Sequence, residues 1–135
     1  MAIDPKKWTL KTQEAFSAAI DQAKELSNPE LTPDHVLGAM MRQTDTIVPA
    51  VLAKLGQAPL MVRNRVDEAI QKLPKAYGGA EPRMSKELTD VIANAERYQK
   101  DFRDDFLSVE HLLLAMNARL DVGSEELLQA LKEVR

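Results

Sequence analysis

Apolar residues recur at three- and four-residue spacing along most of the chain, the pattern of helices that bury one face. Ala15, Phe16, Ala19, Ile20 and Ala23 form the first stripe, running from a Thr9 N-cap to about Leu26, where Ser27-Asn28-Pro29 breaks it. Thr32 caps a second helix with Pro33 at its first position, where a missing N–H costs nothing, and with Val36, Leu37, Met40 and Met41 facing inward. A short third helix is expected from Thr46, with Pro49 in its first turn and Val48, Val51, Leu52 and Leu55 as its apolar set, stopped by Gly56. Pro59 opens a fourth, burying Val62, Val66, Ala69, Ile70 and Leu73. Ser85 caps a long helix with Leu88, Val91, Ile92, Ala95 and Phe102 inward, Ser108 caps one carrying Leu112, Leu113 and Met116, and a last helix begins near Ser124 with Leu127, Leu128, Leu131 and Val134. No alternating strand pattern of useful length occurs, so the chain reads as all-α.

Two of these helices begin with nearly the same block. Residues 31–40 read LTPDHVLGAM and residues 107–116 read LSVEHLLLAM, 76 positions apart. The same offset aligns Thr9 with Ser85, Phe16 with Ile92, Ala19 with Ala95, Lys24 with Lys100 and Leu26 with Phe102. One structural unit is therefore used twice, and two copies are too few for a solenoid, so a closed pseudo-twofold globule is expected. Helices 10–26 and 33–42 should match 86–102 and 109–118. The expected domain is 1–135, with repeat one over about 9–73, repeat two over about 85–135, and the proline- and glycine-rich stretch 74–84 as linker. Between Met116 and the last helix only NARLDVG is present, so repeat two reads as shortened, without a clear counterpart of 47–55.

Composition narrows the function. The chain has 135 residues, enough for one ordinary domain. Aromatics are only 4%, so the core must be aliphatic. There is no cysteine, hence no disulfide framework or thiolate chemistry, which fits a reducing, cytoplasmic setting. The net charge of −3 with no basic run argues against nucleic acid or an anionic membrane as partner. MAIDPKKW has no apolar signal core, and nothing approaches the roughly 18 apolar residues of a membrane span.

Candidate chemistry is sparse. No phosphate-binding loop, H-E-x-x-H or C-x-x-C occurs. Asp34-His35 and Glu110-His111 are suggestive, but adjacent helical residues point about 100° apart and do not form a dyad on one face. Each histidine has a structural reading beside a functional one, that of His35 being a place in the first turn of its helix at the repeat interface. Asp34 and Glu110 read as helix-end charges or as functional carboxylates. Met40, Met41 and Met116 read as core fillers or as an adaptable binding patch. Asp101, Asp104 and Asp105 read as a solvated loop or as something more specific. The residues by themselves stop at an acidic helical double repeat, a binding module.

A cap, an acid, then His-Leu-Leu-x-Ala after a long helix, twice per chain, resembles the Clp N-terminal repeat of the Clp/Hsp100 unfoldases. LSVEHLLLAM is close to that pattern and LTPDHVLGAM is looser but in register. AIQKLPKAYGG resembles the end of the first repeat in the ClpB-type disaggregases. The resemblance covers about residues 6–135. It implies a non-catalytic domain that engages unfolded or aggregated polypeptide for delivery to a translocating ring. It also implies a parent that continues into two ATPase modules using ATP and Mg, forms a homohexamer and works with an Hsp70 system. This chain would be an excised domain, itself monomeric and needing no cofactor, with no nucleic-acid or membrane partner. By motif, the residues tied to substrate handling in that branch fall on Thr9, Asp104 (with Asp105 its neighbour) and Glu110. A peptide groove between the first and fifth helices would be lined from exposed positions by Leu10, Gln13, Tyr98 and His111. The rival reading is a domain that docks a folded adaptor, as in the ClpA and ClpC branches.

Overall fold

The computed structural model describes residues 4–135; residues 1–3 of the expected span lie outside the described residues. Among the described residues seven α-helices follow one another: α1 Leu10–Glu25, α2 Pro33–Arg42, α3 Val48–Lys54, α4 Pro59–Gln71, α5 Lys86–Asp101, α6 Val109–Ala115 and α7 Ser124–Val134. Short 3-10 turns occupy Pro5–Lys7 and Asn117–Leu120. Strands amount to two two-residue segments, β1 Glu30–Leu31 and β2 Arg83–Met84, so the fold is all-α as expected.

The helices start where the hydroxyl caps stand. Thr9 Oγ1 accepts the Thr12 N–H at 3.2 Å and Ser85 Oγ accepts the Leu88 N–H at 3.0 Å. They also end alike. Ser27 and Arg103, 76 positions apart, both take left-handed φ, 56° and 59°. The N–H groups that follow them, of Asn28 and Asp104, turn back to the carbonyls of Ala23 and Gln99 at 2.9 and 3.0 Å. This is the Schellman closure, which satisfies the last carbonyls of α1 and α5 at the cost of holding a non-glycine residue in the left-handed region.

The two repeats are joined by exchanging backbone partners. Leu31, before α2, pairs in parallel with Met84, before α5. Trp8, the counterpart of Met84 before α1, pairs in parallel with Leu107, the counterpart of Leu31 before α6. The Ser85 N–H donates to Leu31 O at 3.0 Å and the Thr9 N–H to Leu107 O at 2.9 Å. Each pairing maps onto the other when the repeats are exchanged, which is the pseudo-twofold relation expected from the sequence. The linker folds back on the end of α1: Lys75 Nζ and the Ala76 N–H donate to the carbonyls of Leu26 and Ser27, each at 2.8 Å.

Three expectations are corrected. The third helix starts at Val48, after an Ile47 N-cap, because Thr46 Oγ1 bonds locally to the Val48 N–H and forms a turn first. α6 stops at Ala115, where Met116 leaves helical geometry (φ −113°, ψ 24°) and the chain tightens into the 3-10 turn. Repeat two does not lack a third helix. α7 begins 76 positions after α3 and packs against it, with Leu127 and Leu131 in the places of Val51 and Leu55. NARLDVG is the counterpart of the α2–α3 connection.

The core is aliphatic. Leu37, Met40, Leu52, Ile70, Leu88, Ile92, Leu112, Leu113, Leu114, Met116 and Leu120 are all fully buried. The methionines of the repeated block are core fillers. Trp8 and Phe16 supply an aromatic contact at 4.5 Å between ring centroids. α4 lies on α2 at Gly38, where a Cβ would meet Val66 Cγ1 at 3.4 Å and Arg42 Nη1 at 3.3 Å. Repeat two has Leu114 at the matching place, where it is fully buried.

Two changes test this packing. Leu37→Ala and Leu113→Ala occupy the same slot of the repeated block and should each cost about 2–5 kcal/mol in denaturant unfolding. Gly38→Leu, which copies repeat two into repeat one, should cost about 1–3 kcal/mol by pushing α4 off α2. A melting curve within a degree of the native chain for any of the three would show the facing to be wrong.

Candidate functional site

Each repeat contains a buried histidine held in the same bracket. His35 and His111 are the third residues of α2 and α6 and are fully buried. The N-cap N–H of Thr32 donates to His35 Nδ1 at 3.0 Å, and that of Ser108 to His111 Nδ1 at 2.9 Å. An Nδ1 that accepts carries no proton, so Nε2 carries it. Nε2–H then donates to the residue seven positions earlier, to Asn28 Oδ1 at 2.9 Å in repeat one and to Asp104 Oδ2 at 2.7 Å in repeat two. Asn28 and Asp104 are the residues placed by the Schellman closures of α1 and α5, so the end of one helix is bound to the start of the next through an imidazole. Burial holds both imidazoles below their ordinary value of 6.5, against the opposing pull of Asp34 on His35 and of Asp104 on His111.

In repeat two the bracket opens onto a charged edge. Asp104 Oδ1 accepts from Arg135 Nη2 at 2.5 Å. The Arg135 guanidinium lies 4.7 Å from the centroid of the Phe102 ring, a cation–π contact. Its Nε stands 3.4 Å from Glu110 Oε2, within ion-pair reach but without hydrogen-bond alignment, so that buried oxygen has no hydrogen-bond partner. Burial pushes the Asp104 carboxyl up, but the hydrogen bonds from Arg135 and His111 outweigh it and leave it below its ordinary 3.8. In repeat one the counterpart of Glu110, Asp34, is bound instead by Arg119 Nε at 3.1 Å, and Arg119 also pairs with Glu87. That cluster ties α2 to α5 across the repeats.

Of the residues expected at a site, Asp104, Glu110 and His111 are brought together. Thr9 reaches the same region by its backbone: it follows Trp8 in the parallel pairing with Leu107, which sets it beside Ser108. Its hydroxyl caps α1 and contacts Thr12 Oγ1 at 2.8 Å. Leu10 is 67% exposed at the first position of α1. Gln13 is exposed, but its Nε2 is spent on the carbonyls of Pro5 and Trp8, at 3.2 and 3.1 Å, holding the N-terminal turn. Tyr98 is half-buried and lines a cleft between α5 and α6 with Asn94, Arg97, Leu114, Ala115 and Asn117, rather than facing α1. His111 is not at the exposed position expected of it, because the capping geometry turns the third residue of α6 inward. The shallow cleft between the N-terminal segment and the end of α5 is lined by Asp4, Lys7, Trp8, Glu96, Gln99 and Leu107.

Two participants were not foreseen. Phe106 is 52% exposed immediately before Leu107, and Arg135 closes the charged edge. Phe106 breaks no helical stripe and Arg135 follows an ordinary amphipathic helix, so neither carries a signal in the sequence. Among the described residues, no cluster of three or more His, Cys, Asp or Glu side chains is placed to hold a metal ion, and no helix is long and apolar enough to cross a membrane.

Comparisons with known proteins agree with one another. The family model of the Clp repeat (R) N-terminal domain matches residues 7–131. The chaperone protein ClpB of Mycobacterium leprae (strain TN) is 35% identical over 109 residues, covering 80% of this chain and 13% of that protein. The chain thus spans about an eighth of that relative's length. The Hsp104 N-terminal domain from Candida albicans superposes with a TM-score of 0.78 at 18% identity, covering 92% of this chain and 88% of that one. The N-domain of ClpV from Vibrio cholerae gives 0.82 at 17% identity, covering 99% and 90%. At those identities the likeness to the solved structures is one of fold.

The two brackets make stability depend on pH. Both imidazoles have folded-state values below the unfolded 6.5, so just below pH 6.5 the unfolded chain binds more protons than the folded one. Their contribution is fully present above pH 6.5 and is lost as pH falls below it. Asp104, also depressed, adds a second loss below its ordinary 3.8. Denaturant midpoints should therefore decline on acidification from neutrality, and His35→Gln and His111→Gln together should flatten the decline near pH 6.

Proposed function

The chain belongs to the Clp repeat N-terminal domain family, and from that premise we propose that it is the substrate-engaging domain of a ClpB-type protein disaggregase. It catches unfolded or aggregated polypeptide and hands it to the ATPase ring formed by the rest of a longer protein. That ring would supply the ATP and Mg chemistry, as a homohexamer working with an Hsp70 system. The supporting sequence observation is the 35% identity to a ClpB chaperone along most of this chain.

The observation in the molecule that carries the reading is the edge around the Trp8–Leu107 pairing. Two large apolar side chains, Leu10 and Phe106, stand in solvent two residues after Trp8 and one before Leu107. Asp104, two residues before Phe106, keeps 21% of its side chain exposed, and Glu110, in the first turn of α6, keeps 16%. Unfolded chains offer apolar side chains and unpaired backbone N–H groups, and an apolar strip with a carboxylate rim takes both. The strip is small and carries no deep pocket, which suits weak, sequence-tolerant capture followed by release. The backbone beneath it is held by two cross-repeat hydrogen bonds, so the strip is presented on a rigid base.

The rival function, docking a folded adaptor, predicts a different ligand for the same domain. Titrating the chain against a denatured client protein and against a folded adaptor of a proteolytic Clp complex separates them. Leu10→Ser and Phe106→Ser should each weaken binding of the denatured client about fivefold, the loss of roughly 1 kcal/mol expected for an apolar contact residue. Because both side chains are exposed, unfolding free energies should stay within about 0.5 kcal/mol of the native chain. Tight binding of the adaptor with none of the denatured client would overturn the reading.

A further inference from the structure

The histidine bracket is built twice and differs in one group. In repeat one the group is an amide. Asn28 is 4% exposed, gives Oδ1 to His35 and donates Nδ2 to Pro74 O at 3.1 Å, so it is used up inside the fold. In repeat two it is a carboxylate. Asp104 keeps 21% of its side chain exposed, gives Oδ2 to His111 and turns Oδ1 outward to Arg135. Repeat one demonstrates that a neutral acceptor completes the bracket. The charge at residue 104 is therefore not required to hold α5 to α6.

An acceptor held at one oxygen is aimed at the other. We propose that His111 is a positioning residue: by gripping Asp104 Oδ2 it directs Oδ1 at the polypeptide the domain engages, without touching that polypeptide itself. The inference rests on the substrate-engaging reading above. Arg135 is the group that Oδ1 binds when no polypeptide is present, and its rim ion pair is open to exchange with a donor on the incoming chain.

The charged groups facing His111 are few and come from three directions. Asp104 approaches from the α5–α6 loop, Glu110 adjoins it on α6, and Arg135 reaches over from the end of α7. A proton added to the ring must go to Nδ1, which then loses the Ser108 N–H, while the imidazolium neutralises Asp104. Capture of polypeptide should therefore weaken on acidification through the titration of His111, below its ordinary 6.5.

The test uses the whole chain and reduced, alkylated α-lactalbumin as an unfolded probe, with affinity and unfolding free energy measured from about pH 5.5 to about pH 8. Glutamine at the third helical position still accepts the N-cap N–H but does not grip residue 104. So His111→Gln keeps the cap and removes the positioning, and His35→Gln is the matched control. Asp104→Asn keeps the bracket, as in repeat one, and removes the charge. His111→Gln and Asp104→Asn should each weaken binding about fivefold near pH 7.5, equivalent to about 1 kcal/mol. His35→Gln should leave it within about twofold, and the acid-side decline of the native chain should vanish in His111→Gln. Native binding by Asp104→Asn would sink the underlying role of Asp104. Weakened Asp104→Asn with native-like His111→Gln, or with His35→Gln as weak as His111→Gln, would return the imidazole to a structural cap. If His111→Gln does not fold, the pH profile decides: an acid decline that persists in Asp104→Asn overturns the proposal.

Discussion

A helix N-cap N–H that donates to a buried imidazole is the contact on which the rest of this domain depends. Each repeat must turn its chain sharply between a long helix and the next, and must do so inside the core, where unpaired backbone groups cost about 1–3 kcal/mol each. The imidazole meets both needs. Its Nδ1 takes the N-cap N–H and its Nε2–H binds the residue that closes the helix before, Asn28 or Asp104. Remove the ring and the start of α2 or α6 loses a partner, as does the end of α1 or α5. The two helices of each repeat are oriented by this one side chain, and the aliphatic core is packed between them.

The repeats then hold each other through main chain. The pairings of Leu31 with Met84 and Trp8 with Leu107 place the N-terminal ends of α2 and α5 side by side, and likewise those of α1 and α6. Backbone pairing is insensitive to side-chain identity, which leaves the two halves free to differ elsewhere. They differ at Gly38, which admits the close approach of α4, and at Leu114, a large buried side chain in the matching place. They differ again at Asn28 and Asp104, where one bracket is neutral and closed and the other is charged and faces solvent. The charged edge on repeat two is thus a local variation on a shared device, supported by a backbone that both repeats specify.

The substrate-engaging reading draws on that division of labour. On that reading the exposed Leu10 and Phe106 stand on a base held by backbone pairing, and Asp104 is the acceptor offered to the incoming chain. The apolar part of such a surface comes from side chains with no structural duty, so its contribution to capture is separable from stability, whereas Asp104 serves both. The histidines do have a structural duty, and their proton state reaches the surface only in repeat two, where the bracketed group is an acid.

Much of the fold was legible in the amino-acid sequence because its causes are local. Helix periodicity, the hydroxyl caps at Thr9, Ser85 and Ser108, and the doubled block with its Leu, His and Met positions read directly as seven helices in two related units. NARLDVG resembles no helix, which hides the third helix of repeat two; the 76-residue offset from Val51 and Leu55 to Leu127 and Leu131 and the packing of α7 on α3 together identify that segment as a connection. The site was legible in part. Asp104, Glu110 and Thr9 came from a family resemblance, and the structure brought the first two together. The inward turn of His111 and the guanidinium of Arg135 at Asp104 were decided by tertiary structure alone, since residues 104, 111 and 135 become neighbours only when α5, α6 and α7 close on one another. Sequence determines which residues can cap, bury or ionise; which of them meet depends on how the chain is folded back on itself.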